Sequence, residues 1–139
     1  MKLLVATDGS ANALRAVQHA VDLQRKLSEP GSITLISVHD DSALRHARRF
    51  VGKQAIEDYL HELSAHDLDE ANKLLDAAGV KHETLVRTGH VASEIADAGK
   101  DYDMIVLGSK GRSALTDLVI GSVAKRVIEM AKTPVLLVR

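Results

Sequence analysis

The chain has 139 residues, of which 45% are apolar, so it is long enough to build one hydrophobic core without cross-links. It contains no cysteine, which excludes disulfides, thiolate metal sites and thiol nucleophiles and is typical of a reducing compartment. Its net charge of −1 comes from interspersed acids and bases, and its longest apolar runs are too short to cross a bilayer. We therefore expect one cytoplasmic domain over residues 1–139, with neither nucleic acid nor a membrane as partner.

The first third of the sequence predicts a strand, a helix and a second strand. Residues 2–6 form a continuous apolar run, which is typical of a strand covered on both faces in a parallel sheet. Ser10 is the expected N-cap of a helix with apolar residues at helical spacing, and Pro30-Gly31 ends that helix. Residues 33–38 then read as a β-rich run. The stretch 41–52 that follows is either a loop or the start of a helix.

The remaining sequence continues the alternation. We expect helices over 53–78, closed by Gly79, and over 91–98, and strands over 80–86, 104–107 and 135–138. A last helix is marked by apolar residues at positions 123, 127 and 131. Five strands and four helices in near-strict alternation, joined by right-handed crossovers, predict a doubly wound open α/β sheet. Ligands bind such sheets beyond the carboxyl ends of the strands, where the winding reverses.

Glycines follow the strand over 104–107 in a pattern that suits an anion. Gly108-x-x-Gly111 is followed, after nine residues, by Gly121-Ser122 at the start of the last helix. Glycines permit positive φ and close approach of the backbone, and the N–H groups of a helix N-terminus point at a phosphate. The Ser122 hydroxyl is expected either to cap the helix or to donate to a phosphate oxygen. Taken singly, each glycine is equally well explained as an ordinary turn or cap.

Taken together, this spacing resembles the ATP-binding motif of the universal stress protein family. The segments Val5-Ala6-Thr7-Asp8-Gly9-Ser10 and Thr133-Pro134-Val135-Leu136-Leu137-Val138 resemble that family too, so the likeness covers the whole chain. The resemblance implies strand order 3-2-1-4-5 in an adenine nucleotide alpha hydrolase-like fold, and a homodimer built on the last strand. It also implies ATP, together with Mg²⁺, as the ligand and an unidentified protein as the partner.

The family's nucleotide contacts carry over to matching positions of this chain. Near the base and ribose they imply Ala6, Thr7, Asp8 and the Val38 backbone; around the ribose and phosphates they imply Gly108, Gly111, Gly121, Ser122 and Val123. We also expect Leu107 and Arg112 among the residues that bind the nucleotide. The chain departs from the family at Lys110, where histidine or arginine is frequent, and at Ala114, where glycine is frequent. Neither departure removes a backbone donor that the site needs.

The side-chain roles stay open at this point. Asp8 is expected to accept hydrogen bonds from ribose or from turn amides, with a catalytic or magnesium-binding role as the alternative. Arg112 is either a phosphate contact or a solvated loop cation. The histidines lack a tight ligand spacing, so no metal site is expected.

Missing motifs narrow the functional classes. The chain lacks the Gly-x-Gly-x-x-Gly of dinucleotide-binding proteins, the Walker A spacing of P-loop proteins and the Gly-x-Ser-x-Gly elbow of serine hydrolases. Our leading hypothesis is an ATP-binding module or switch in the stress response. The alternatives are a family member that binds no nucleotide and acts through protein contacts, and a slow ATPase.

Overall fold

The computed structural model describes residues 1–110 and 119–139, and within them five strands form one parallel sheet in the order β3-β2-β1-β4-β5. The strands are β1 (Lys2–Ala6), β2 (Ser32–Asp40), β3 (His82–Gly89), β4 (Met104–Gly108) and β5 (Val135–Val138). The helices are α1 (Ala11–Lys26), α2 (Asp41–Ala47), α3 (Lys53–Ala78), α4 (Val91–Ala98) and α5 (Ser122–Met130), with a 3₁₀ turn at Gly99–Asp101. The predicted doubly wound sheet with order 3-2-1-4-5 is confirmed.

The winding reverses between β1 and β4. From β1 the chain moves outward to β2 and β3, then crosses back to β4 and β5 on the other side. The registers Ala6↔Ile36 and Val5↔Val106 bring the carboxyl ends of β1, β2 and β4 to one edge of the sheet. This edge is the switch point at which such folds bind ligands.

Two aliphatic layers cover the sheet. One face packs on α1 and α3 through side chains that include Leu3, Val5 and Leu75, all fully buried. The other face packs on α4 and α5 and includes Leu4, Ile105 and Val127. Because both faces are covered, the central strands read as continuous apolar runs in the sequence. No helix among the described residues is long and apolar enough to span a membrane.

The structure corrects the predicted helix count, because the described residues contain five α-helices and not four. The additional helix is α2, in the stretch for which loop and helix start were both open. Its N-cap is Asp40, whose side chain accepts a hydrogen bond from the Ser42 amide at 2.8 Å. Arg45 and Asp41 form an ion pair one turn apart at 2.8 Å, which adds local support.

Several predicted boundaries were wrong by one to three residues; β2 runs to Asp40 and β3 to Gly89, beyond the expected ends at 38 and 86. Val80 was expected in β3, but its amide donates to the carbonyl of Leu75 and closes α3 behind Gly79, which has φ of 67°. The strand β3 therefore begins at His82. Ala131 was expected in the last helix, but it is the C-cap of α5 with extended backbone.

Candidate functional site

The turn after β1 forms the centre of the predicted site. The Thr7 amide donates to the carbonyl of Ile36 at 3.0 Å, which ties the end of β1 to β2. The buried Thr7 hydroxyl accepts from the Gly9 amide at 3.2 Å, and Gly9 has φ of 78°. A residue with a Cβ rarely adopts that conformation, so the Asp8-Gly9 turn requires its glycine.

Asp8 acts in this turn as an acceptor. Its Oδ1 accepts from the Ser10 amide at 2.9 Å, and the Ser10 hydroxyl in turn accepts from the Ala13 amide as the predicted N-cap of α1. The carboxylate is therefore held at the start of α1, beside the last residue of β1. This geometry matches the turn-amide role that the sequence left open for Asp8.

The β2 backbone continues past the end of β1. Ile36 directs its carbonyl toward β1, and alternate residues of a parallel strand direct their peptide groups to the same side. The N–H and C=O of Val38 therefore also face the β1 side, two residues beyond Ile36, which pairs with the last residue of β1. This places Val38 where its backbone can meet a ligand that lies over the end of β1.

Hydrogen bonds hold the end of β2 against α3. His39 Nε2 lies 2.8 Å from the Ser64 hydroxyl and 3.3 Å from the Ser37 hydroxyl, and both serines are buried. At the next residue, hydrogen bonds from the side chain and backbone of Ser42 lower the pKa of Asp40. The end of β2 is thus fixed to the helix that covers this face of the sheet.

The two ends of the glycine-containing loop lie side by side. We call the residues that join them, Gly108, Ser109, Gly121 and Val138, the neck. Gly108 pairs with Val138, and the Ser109 amide donates to the Val138 carbonyl at 2.8 Å. The Gly121 amide donates to the Ser109 carbonyl at 2.7 Å. The start of α5 therefore lies directly beside the end of β4. Gly111 and Arg112 lie outside the described residues, and their predicted roles stay predictions.

The first turn of α5 presents backbone donors at this neck. Gly121 is the N-cap, with φ of −61° and ψ of 153°, and no side chain caps the helix. Ser122 is the first helical residue, so of the two roles left open for its hydroxyl the capping role does not apply. The amides of Ser122, Val123 and Ala124 have no acceptor inside the helix, because the first intrahelical bond runs from Lys125 to Gly121.

Sequence reasoning missed Asn12, which belongs to the same neck. Asn12 is 5% exposed; its Oδ1 accepts from the Lys110 amide at 2.7 Å, and its Nδ2 donates to the Val138 carbonyl at 3.2 Å. A signal was present. Residues 12, 16, 20 and 24 follow one another at four-residue spacing and form a buried stripe on α1. Ala16 and Ala20 lie in the middle of this stripe, and Asn12 and Gln24 lie at its two ends. Polar residues on an apolar stripe indicate buried partners.

Metal-binding groups are not gathered at this edge. Among residues 1–110 and 119–139, no three His, Asp or Glu side chains lie close enough together to hold a metal ion.

The fold and the site define a class: an open 3-2-1-4-5 α/β protein with a glycine-bearing loop and a helix N-terminus at its switch point. A family model described as the universal stress protein family matches residues 1–139. The chain belongs to the universal stress protein family.

Curated relatives support this membership along the whole chain. The protein is 34% identical to universal stress protein MJ0531 of Methanocaldococcus jannaschii, over 99% of this chain and 81% of that protein. It is 29% identical to universal stress protein YxiE of Bacillus subtilis, over 99% of this chain and 98% of that protein.

Solved structures share the fold. The structure of MJ0577 has a TM-score of 0.83 at 27% identity, covering 99% of this chain and 94% of that one. A universal stress protein in complex with cAMP has a TM-score of 0.71 at 24% identity, with 100% and 97% covered. An Arabidopsis thaliana family member with AMP bound has a TM-score of 0.66 at 19% identity, with 99% and 90% covered. The last two likenesses concern the fold alone.

Proposed function

We propose that this universal stress protein is a nucleotide-binding module that holds ATP at the carboxyl edge of its sheet. The observation that carries the proposal is the hydrogen bond between the Gly121 amide and the Ser109 carbonyl. It brings the donor-rich first turn of α5 beside the end of β4, at the switch point. A phosphate group there is attracted by the N–H groups and by the positive end of the helix dipole.

The phosphates are assigned to the neck and the first turn of α5. The amides of Ser122, Val123 and Ala124 are the donors, and the Ser122 hydroxyl, which does not cap the helix, is left to donate to a phosphate oxygen. Gly121 has an ordinary φ, so its backbone conformation does not require glycine, and we assign its missing side chain to close approach of the ligand. Gly111 and Arg112 complete this part of the site in our proposal.

The nucleoside is assigned to the turn after β1 and to the end of β2. Ala6, Thr7 and Asp8 border the ribose and base, and the Val38 backbone offers one donor and one acceptor on the side where a base would lie. Proteins of this fold that hold cAMP and AMP support an adenine nucleotide as the ligand class. We choose ATP because the spacing of Gly108, Gly111 and Gly121-Ser122 resembles the ATP-binding motif of the family.

We propose that Mg²⁺ enters with the nucleotide and is held by the phosphates. We also propose binding without appreciable turnover. Phosphoryl transfer needs a group that positions the attacking water, and Asp8 is held by the Ser10 amide at the nucleoside end of the site. A switch, whose state depends on occupancy, fits this arrangement better than an enzyme.

The proposed module is a homodimer that pairs through β5. The Pro134 carbonyl accepts from Ile105 of β4 and the Val138 carbonyl from Ser109, the residue after β4, so the peptide groups of Val135 and Leu137 point away from β4. This outer edge has no partner strand among the described residues, and its four residues are apolar. Such an edge invites pairing with a second copy.

The nucleotide content of the native protein tests the proposal. We expect that heating protein purified without added nucleotide releases an adenine nucleotide into the supernatant, and chromatography against AMP, ADP and ATP identifies it. A preparation that releases none and regains none after incubation with Mg-ATP would favour the family member that acts through protein contacts alone.

A further inference from the structure

The Asn12 side chain joins α1 to the loop after β4 and to the end of β5. It lies in the first turn of α1, which packs on the sheet, and is 5% exposed. Its Oδ1 accepts from the Lys110 amide at 2.7 Å, and its Nδ2 donates to the Val138 carbonyl at 3.2 Å. The oxygen and the nitrogen of the side-chain amide are therefore both hydrogen-bonded, the oxygen to Lys110 in the loop and the nitrogen to Val138 at the end of β5.

The Asn12 side chain also explains why residue 108 is a glycine. A methyl group at position 108 would overlap with Oδ1 of Asn12 and would lie 2.9 Å from its Cγ. Gly108 does not have a positive φ, so backbone conformation does not require glycine there. The glycine is required because the Asn12 side chain occupies the space beside it.

We propose that Asn12 is the positioning residue of the nucleotide site, and that Gly108 serves the site by making room for Asn12. The inference rests on the proposed nucleotide binding. By fixing the Lys110 amide, Asn12 sets the direction in which the loop leaves β4. By holding the Val138 carbonyl, it also ties the loop to the strand that forms the proposed dimer edge.

A purely structural role would look different, and α1 offers the comparison. Gln24 lies on the same stripe and is as buried as Asn12, at 2% exposed. Its amide bonds Met1, Gly31 and Ser32, at the amino edge of the sheet. Loss of either amide removes buried hydrogen bonds, but only loss of Asn12 changes the loop.

The Asn12→Ala variant is compared with two controls, Gln24→Ala and Asn72→Ala. The Asn72 side chain makes no hydrogen bond among the described residues. Mg-ATP affinity is measured by calorimetry, and exchange of the Lys110 amide is followed by NMR without nucleotide. We expect Asn12→Ala to weaken ATP binding about tenfold, the effect of losing loop-fixing hydrogen bonds, and to speed Lys110 exchange. We expect both controls to bind like the wild type.

A second pair of variants tests the Gly108 contact. Gly108→Ala should lower the urea midpoint of unfolding in the wild type and lower it less in the Asn12→Ala background, where the overlap with the side chain is gone and the contact with the Asn12 backbone carbon at 3.2 Å remains. Additive effects would contradict the contact.

Unchanged ATP affinity and Lys110 exchange in Asn12→Ala would overturn the positioning role. Failure of the wild type to bind ATP would instead overturn the proposed function, and the exchange and unfolding measurements would still decide the role of Asn12.

Discussion

The Gly121 amide donates to the Ser109 carbonyl at 2.7 Å, so the two glycine-bearing segments that the sequence separates are neighbours in the structure. This bond brings the first turn of α5 to the end of β4. It is the physical reason why residues on both sides of the loop can contact one ligand.

Gly121→Val should abolish ATP binding while the protein stays folded. Valine tolerates φ of −61° and ψ of 153°, but its methyl groups would occupy the space that we assign to phosphate. Gly52→Val is the matched control, because Gly52 is the N-cap of α3 with φ of −63° and ψ of 154° and has no atoms near its missing side chain. Calorimetry and circular dichroism on both variants make the comparison, and normal ATP affinity in a folded Gly121→Val protein would refute the phosphate site.

Gln24→Ala should lower the free energy of unfolding by about 2 kcal/mol, because it removes the three part-buried hydrogen bonds that the Gln24 side chain makes to Met1, Gly31 and Ser32. Gln18→Ala, on the exposed side of the same helix, should change it by less than about 0.5 kcal/mol. Urea unfolding measures both. Equal effects would mean that the Gln24 hydrogen bonds contribute nothing beyond a surface amide.

Leu137→Pro should split the proposed dimer. The Leu137 peptide faces the outer edge of β5, so proline removes a donor for the second copy and leaves the bonds to β4 in place. Leu137→Ala loses the same packing but keeps the N–H, and it should remain dimeric. Sedimentation gives the masses; a monomeric wild type at micromolar concentration would contradict pairing through this edge.

ATP turnover should be slow, at least two orders of magnitude below the median enzyme rate of about 10 s⁻¹. Asp8, the carboxylate in the turn after β1, is engaged by the Ser10 amide and is assigned to the nucleoside. Steady-state phosphate release from protein free of other ATPases is the measurement. Several turnovers per second that vanish in Asp8→Asn would make Asp8 a catalytic base and the protein an enzyme.

Most of the fold could be predicted from the sequence, because the signals were local. Continuous apolar runs marked the buried strands, and Ser10 and Gly79 marked helix ends that the structure confirms. The helix α2 was harder, since its seven residues depend on one cap and one ion pair more than on an apolar stripe. Val80 was misplaced because the closing turn of α3 uses its amide.

The candidate site was only partly readable. Glycine spacing indicated the loop, but it could not indicate that Gly108 has no positive φ and that its missing Cβ leaves room for the Asn12 side chain of α1. Asn12 makes its bonds to residues far away in the sequence, and such long-range partners leave no periodic pattern. Only its position on a buried stripe pointed to it.

Calorimetric titration of the nucleotide-free protein with Mg-ATP tests the central claim most directly. We predict saturable binding with a dissociation constant in the micromolar range, a free energy of about −8 kcal/mol, and a rise in melting temperature at saturation. A flat titration together with an unchanged melting temperature at millimolar Mg-ATP would contradict nucleotide binding by this protein.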